Sequence, residues 1–199
     1  MTSSTAERWR GYYEKAIQRS HHPITEMAVA ENRSGLNVAV DCGCGAGGDI
    51  QFLREQGYQV HGFDINADSI EICRQRFEQD PLIDISQDSF EDFDYPTTGV
   101  LIANASLYFA EPTQFARTWQ SITDAIEIGG VFAGGFMGVA DDWATHSDHT
   151  ITALSRLQVE ALFDGFTILK FEERNQPGKT ALGRHKHWHT FSVVARKIR

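Results

Sequence analysis

The chain has 199 residues, of which 41% are hydrophobic and 23% charged, and its formal net charge is −9. This length suffices for one α/β domain with a sizeable core and is short for two domains. The acidic balance argues against a protein that follows nucleic-acid phosphates, because such proteins usually carry a basic face.

Cysteine use and hydropathy indicate the cellular compartment in which the protein works. The three cysteines, Cys42, Cys44 and Cys73, form no CxxC pair, which fits a reducing environment without disulfides. The first ten residues lack the apolar core of a signal peptide, and no apolar run is long enough to span a bilayer. We therefore expect a cytoplasmic enzyme that acts on a small-molecule substrate, without a nucleic-acid or membrane partner, as a monomer or homodimer.

In chain order, the hydrophobic pattern alternates between helices and strands, which predicts a mostly parallel sheet. Two helices, 6–20 and 24–32, precede the first strand. The next predicted elements are strand 36–40, helix 48–56, strand 58–64, helix 67–79, strands 83–87 and 99–105, helix 112–126 and strand 131–138. A polar loop over 140–150 leads to a helix that begins with a capping box at Ser155 and Gln158.

The last two predicted strands, 166–173 and 185–196, are joined by a charged turn with no helix. We expect these strands to form an antiparallel hairpin at one side of the sheet.

The stretch VAVDCGCGAGG, residues 38–48, runs from a strand into a Gly-rich turn and satisfies two cofactor patterns. Its glycines match the dinucleotide fingerprint GxGxxG, and Asp41 with the following glycines matches the acid-x-GxGxG pattern of S-adenosylmethionine sites. A dinucleotide places an anionic pyrophosphate at the helix N-terminus, where Asp41 would repel it. The ammonium and sulfonium of S-adenosylmethionine suit the acid instead. The turn residues assigned to this cofactor are Asp41, Cys42, Gly43, Gly45 and Gly47.

A second acid, Asp64, ends the second predicted strand about 20 residues beyond the turn. A carboxylate there can accept hydrogen bonds from two ribose hydroxyls. An NAD site would use the same acid, so Asp64 indicates a nucleoside without choosing the cofactor. The alternative role is a cap for the following helix, for which Asn66 is the other candidate.

Seven strands that end in such a hairpin resemble the class I S-adenosylmethionine-dependent methyltransferases, over nearly the whole chain from about residue 6. The resemblance implies a three-layer, Rossmann-like α/β fold whose sheet order is 3-2-1-4-5-7-6, with strand seven antiparallel. It also implies a single methyltransferase domain, 1–199, with an N-terminal helical lid over 1–35 and a Rossmann-like core over 36–199.

The same resemblance implies further cofactor contacts. Asp88 would accept a hydrogen bond from the adenine amino group, with Ser89 or Phe90 beside the ring. The alternative is that Asp88 and Ser89 only begin a loop turn. Ile65 and Asn104 complete the implied cofactor-binding set.

Four local stretches resemble the small bacterial tellurite-resistance-type methyltransferases: WRGYYEKAIQRSHHP, NASLYFAEPTQFARTW, GVADDWA and GKTALGRHKHWHTFSVVARK. They imply SN2 methyl transfer to a small nucleophile, such as a thiol or a chalcogen oxyanion. The enzyme then mainly supplies alignment and desolvation, and a general base is needed only if the nucleophile arrives protonated. An NAD(P)-dependent reductase and a non-catalytic cofactor-binding protein remain the alternatives.

Substrate-side candidates follow the carboxyl ends of the strands, where open α/β sheets bind ligands, or lie in the N-terminal helices. They are Tyr13 (or Tyr12), His22, Asn104, Tyr108 and Trp143, and none is assigned as a catalytic base. Helix packing of the tyrosines and a loop anchor at Trp143 are the alternatives.

The histidines of the last strand, His185, His187 and His189, alternate and are expected to point to one face. Hairpin packing, polar lining of the substrate side and a zinc site completed by His146 and His149 stay open. We expect no metal, because methyl transfer from a sulfonium requires none.

Overall fold

The site is built on one sheet, which the computed structural model describes together with its helices over residues 20–146, 150–180 and 183–199. The strands are β1 (Val38–Cys42), β2 (Gln59–Phe63), β3 (Ile83–Ser86), β4 (Thr98–Ala103), β5 (Ile126–Gly138), β6 (Ala153–Leu154), β7 (Phe166–Lys179) and β8 (His185–Lys197). The helices are α1 (Pro23–Glu31), α2 (Gly48–Glu55), α3 (Ala67–Phe77), α4 (Phe115–Ala125), α5 (Asp142–His146) and α6 (Arg156–Leu162), and a 3-10 turn spans Leu107–Phe109.

The sheet order is β3-β2-β1-β4-β5-β8-β7, and the short β6 pairs with β5 outside this path. Strands β1 to β5 are parallel where they pair, and β8 runs antiparallel to both β5 and β7. The predicted fold class and the terminal hairpin are confirmed. Only the numbering shifts, because β6 lies between β5 and the hairpin.

Apolar side chains cover both faces of the central strands, as expected for a parallel sheet between two helical layers. All six residues of β4 are buried. On one face Trp119 and Ile122 of α4 pack with Phe132 and Phe136 of β5. The opposite cluster joins residues of α1, α2 and α3 to the same strands. The sheet is thus rigid where its carboxyl edge carries the candidate site.

Several boundaries differ from the sequence prediction for physical reasons. The ladder of β1 continues to Asp41 and Cys42, which pair with Gly62 and Phe63. The charged segment predicted as a turn extends β7, where Pro177 is tolerated because this strand lies at the sheet edge. The polar loop over 140–150 contains α5. The predicted Ser155–Gln158 capping box is confirmed.

A buried ion pair ties the hairpin to the segment after β5. The side chains of Lys186 and Asp141 are 4% and 0% exposed. The Lys186 ammonium lies 3.9 Å from the ring centroid of Trp143 and 3.8 Å from that of Trp188. Asp141 also accepts hydrogen bonds from the backbone N–H groups of Trp143, at 2.9 Å, and His189, at 2.8 Å. Burial lowers the pKa of Lys186, and the hydrogen bond that Lys186 donates to Asp141 opposes that shift.

We predict that Asp141→Ala lowers the free energy of unfolding by about 3–5 kcal/mol, because it leaves the Lys186 ammonium buried without a counter-charge. Urea denaturation followed by circular dichroism measures the loss. Asp164→Ala is the control, since it breaks an exposed pair with Arg199 and should change stability little. Equal, small losses in the two variants would contradict the buried ion pair.

Candidate functional site

The Gly-rich turn joins β1 to α2 at the carboxyl edge of the sheet. The N–H groups of Gly43 and Cys44 donate to the carbonyl of Phe63 at 2.8 and 2.9 Å, which anchors the turn on β2. Gly43 and Gly45 have φ values of 70° and 55°, a region that favours glycine. A Cβ at Gly43 would lie 2.5 Å from Ser106 Cβ, whereas nothing lies within 4 Å of one at Gly45. Gly45 therefore leaves space for a ligand to approach the backbone.

Asp41 is a buried acid of this edge, with 3% of its surface exposed. Burial raises the pKa of Asp41 well above its ordinary value, and the nearby charges of Asp49 and Asp64 raise it further. Within the described residues, no side chain forms an ion pair or hydrogen bond with this carboxylate. A buried carboxylate without a counter-charge is costly, so the position is suited to a ligand that brings a positive group.

Asp64 follows β2 and connects the turn to α3. Its Oδ2 accepts the N–H of Gly45 at 3.0 Å, and its Oδ1 accepts the N–H of Asn66 at 2.9 Å. Burial raises the pKa of Asp64, and these backbone hydrogen bonds oppose the shift. The capping of α3 belongs to Asn66, as predicted, so Asp64 is free of that role. Beside it, the apolar side chain of Ile65 is 73% exposed.

The loop after β3 carries Asp88, Ser89 and Phe90. Asp88 is partly exposed, and the Ser89 hydroxyl accepts the N–H of Asp92 at 3.2 Å and donates to its Oδ2 at 2.9 Å. Ser89 therefore closes a local turn. The ring of Phe90 packs edge-on against Phe63, with centroids 5.4 Å apart. Since that ring belongs to the core, only the backbone of Phe90 is placed to face a ligand.

The segment after β4 lies beside the Gly-rich turn. The Ser106 hydroxyl donates to the carbonyl of Cys42 at 2.6 Å. Among the described residues other than glycine, Ala105 alone has a positive φ, 54°. Such strain is concentrated at functional sites, because the surrounding structure must hold it in place. Asn104 directs its Nδ2 to Asp49 Oδ2 at 3.0 Å and to Thr25 Oγ1 at 3.1 Å.

Asp49 and Thr25 were missed by the sequence analysis. The only sequence signal for Asp49 is an acid in the first turn of a helix whose N-cap, Gly47, offers no side chain. That position is explained equally well by the helix dipole, so it did not indicate a site. Thr25 gives no signal, because a threonine in a short helix is ordinary.

His22 is the N-cap of α1, and its backbone N–H donates to Asp49 Oδ1 at 2.9 Å. The residue is exposed, but partial desolvation of the ring lowers the pKa of His22, which Asp49 opposes. Its Nδ1 accepts the N–H of Ile24 at 3.4 Å, which places the proton of the neutral ring on Nε2. The other N-terminal candidates, Tyr12 and Tyr13, lie outside the described residues.

Tyr108 and Trp143 stand on the β5 side of the same edge. Tyr108 is buried in the 3-10 turn, next to Phe109. The rings of Phe109 and Trp143 have centroids 6.4 Å apart, so the segment after β5 contacts the segment after β4. Trp143 also packs against Lys186 and Trp188, which supports its alternative role as a loop anchor.

The histidine run mainly connects the hairpin. His187 Nε2 lies 2.6 Å from Asn175 Oδ1, and His189 Nε2 lies 3.0 Å from Glu173 Oε1. His189 Nδ1 accepts the N–H of Ala140 at 3.1 Å, and His185 is exposed. Over 20–146, 150–180 and 183–199, no three His, Cys, Asp or Glu side chains are grouped to hold a metal. These contacts support hairpin packing; the side chain of His146 and all of His149 lie outside the described part of the chain.

A cavity of about 720 Å³ lies away from this edge. It is bounded by the C-terminal parts of α2 and α3 and the start of β3, at the amino edge of the sheet. Ligands of open α/β sheets bind at the carboxyl edge, so we assign no function to this cavity. None of the helices in the described part of the chain is long and apolar enough to cross a membrane.

Comparison with known proteins shows which protein family the residues of this edge resemble. Residues 39–130 match a family model described as a methyltransferase domain. Residues 39–130 are thus similar to methyltransferase domains. The matched segment contains the Gly-rich turn, both acidic strand ends and Asn104, and the resemblance stated from the sequence is confirmed. A comparison with curated protein sequences gives no match.

Solved structures show the same fold at low sequence identity. TehB from Haemophilus influenzae is 16% identical with a TM-score of 0.75, and the match covers 94% of this chain and 65% of that one. The Burkholderia thailandensis 1,6-didemethyltoxoflavin-N1-methyltransferase is 15% identical with a TM-score of 0.67, covering 99% and 87%. The N-methyltransferase NodS from Bradyrhizobium japonicum is 14% identical with a TM-score of 0.67, covering 94% and 97%.

The residues of the candidate site fit S-adenosylmethionine as cofactor. Its ammonium suits the unpaired, buried Asp41, and the open backbone at Gly45 allows close approach. A pyrophosphate at the N-terminus of α2 would instead add negative charge beside Asp41 and Asp49. The cofactor expected from the sequence is therefore supported by the site's chemistry as well as by the comparisons.

We predict that Asp41→Asn stabilises the free protein. An acid whose pKa is raised on folding holds its proton more tightly when folded, so it costs stability as the pH rises above its unfolded value, about 3.9. The variant lacks this cost. Its melting temperature should exceed that of the wild type by about 2–4 °C at pH 7.5, and the two should converge near pH 4. A difference that is constant with pH would contradict the raised pKa.

Proposed function

We propose that this chain is an S-adenosylmethionine-dependent methyltransferase that transfers a methyl group to a small-molecule nucleophile. The observation that carries the proposal is the buried, unpaired carboxylate of Asp41 beside an open Gly-rich turn, within the matched methyltransferase domain. When bound, S-adenosylmethionine supplies a methyl group already activated on a sulfonium. The match to this chain spans only 65% of the TehB structure, so we do not infer the methyl acceptor from TehB.

Each cofactor-side residue has a task that its position supports. Asp41 would hold the ammonium, since it is the buried acid without a counter-charge. Asp64 would accept the ribose hydroxyls while its backbone contacts fix the turn at Gly45. Asp88 would face the adenine amino group from the loop after β3, and the exposed apolar surface of Ile65 would cover the base.

On the acceptor side the described residues favour orientation and exclusion of water over proton transfer. Ring contacts connect Tyr108 to Phe109, at 4.7 Å between centroids, and Phe109 to Trp143, at 6.4 Å. The Nδ1 of His22 already accepts the N–H of Ile24 at 3.4 Å, so this nitrogen is used in the cap of α1. This arrangement supports a nucleophile that arrives deprotonated or carries a free lone pair.

A thiol, a chalcogen oxyanion and a heteroaromatic nitrogen all meet that requirement. The first two follow from the sequence resemblance. The third is supported by the Burkholderia thailandensis structure, which contains 1,6-didemethyltoxoflavin with S-adenosylhomocysteine.

Isothermal calorimetry with S-adenosylmethionine, S-adenosylhomocysteine and NADH tests the cofactor. We expect both sulfur ligands to bind and NADH not to bind. Binding of NADH alone would favour the reductase alternative. For the acceptor, release of S-adenosylhomocysteine is measured with a panel of thiols, selenite, tellurite and heteroaromatic amines. Cofactor binding without turnover of any of these would favour the non-catalytic alternative.

We predict that Asp64→Asn weakens S-adenosylmethionine binding by about 1.5–3 kcal/mol, the range for hydrogen bonds to a charged group. The variant keeps the size of the side chain but loses one acceptor oxygen at the turn. Asp84→Asn, an exposed acid on β3, is the matched control and should bind normally. Unchanged affinity in a folded Asp64→Asn variant would show that the ribose is held by other residues.

A further inference from the structure

The carboxylate of Asp49 joins three segments at the carboxyl edge. Its Oδ1 accepts the backbone N–H of His22 at 2.9 Å and the hydroxyl of Thr25 at 2.6 Å, both from the start of α1. Its Oδ2 accepts Nδ2 of Asn104, which follows β4, at 3.0 Å. Asp49 itself lies in the first turn of α2, directly after the Gly-rich turn.

These contacts fix the carboxylate and leave it one acceptor position. A carboxylate offers about four lone-pair sites, and the three contacts use two on Oδ1 and one on Oδ2. Thr25 is fully buried, so its hydroxyl has no water to replace Asp49 and holds the group in one orientation. The remaining position is on Oδ2, the oxygen beside Asn104.

Among the described residues, no cationic side chain pairs with Asp49 either. Its field reaches Asp41, whose ionisation it disfavours. Over the described residues, neither acid forms an ion pair with a lysine, arginine or histidine. Two neighbouring carboxylates, one of them buried and without a hydrogen-bond partner, repel each other unless a cation lies between them.

We propose that Asp49 is a second carboxylate for the ammonium group of the cofactor's methionine end, which it shares with Asp41. The inference rests on the proposed function, because it needs S-adenosylmethionine as ligand. Since Asp49 also holds the N-terminus of α1, the same carboxylate connects occupancy of the methionine end to the helix that borders the site.

Calorimetry with three ligands separates the methionine end from the nucleoside. S-adenosylmethionine and S-adenosylhomocysteine carry the ammonium, and 5′-methylthioadenosine lacks it. In Asp49→Asn we expect the affinity for the first two to fall about tenfold, as for the loss of roughly 1.4 kcal/mol. The affinity for 5′-methylthioadenosine should stay within about twofold of the wild type.

Asp68→Asn is the matched control. Asp68 occupies the same second position of α3 that Asp49 occupies in α2, so both variants remove an acid from a helix N-terminus. Asp68 is exposed, and its replacement should leave the affinity for all three ligands unchanged. Circular dichroism establishes that each variant is folded.

Thr25→Val provides a second route if Asp49→Asn does not fold. It keeps both carboxylates and removes one donor that orients Asp49, so binding of the two ammonium ligands should fall about threefold without loss of 5′-methylthioadenosine. Equal losses for all three ligands, or no loss, would overturn the assignment of Asp49. A wild-type protein that binds none of the three would overturn the proposed function itself.

Discussion

A carboxylate buried at the end of the first strand, without a cation from the described chain beside it, is the constraint on which this edge of the molecule depends. The fold places Asp41 there because β1 lies in the middle of the sheet, between β2 and β4, and its last residues continue the ladder. Asp49 and Asp64 add negative charge around it. In the proposed function, the ammonium of the bound cofactor would supply the cation that this group of acids lacks.

The sequence predicted the features that follow from periodicity and from single-residue chemistry. The alternation of strands and helices, the terminal hairpin, the Asn66 cap and the glycine turn all have local signals, and the structure confirms them. It could not indicate contacts made between distant segments. Asp49 contacts Thr25 and Asn104 only because the folded sheet brings α1, α2 and the segment after β4 to the same edge. Likewise, the need for glycine at position 43 is visible only in the fold, where Ser106 leaves no space for a Cβ.

The two sides of the site are built by different means. The residues proposed for the cofactor are backbone groups and acids at strand ends, and such a set can be found by spacing. The residues proposed for the acceptor lie partly in the segment after β5, which the Lys186–Asp141 pair joins to the hairpin about 45 residues later in the chain. The HKHWH stretch was predicted as a row of three histidines, because its sequence does not show that Asp141 lies beside Lys186. The buried charged group of this stretch is Lys186, which lies against the rings of Trp143 and Trp188 on the other face of β8.

Two buried cysteines, one in the Gly-rich turn and one on α3, allow local unfolding of this region to be followed chemically. Cys44 and Cys73 are buried, free and hydrogen-bonded to each other, and Cys73 also donates to the carbonyl of Gly45 at 3.3 Å. Burial and this hydrogen bond raise the pKa of the Cys44 thiol, so the closed turn protects it from alkylation. Maleimide would react with these thiols only after local unfolding exposes them, so their reaction rate reports that unfolding without an engineered label.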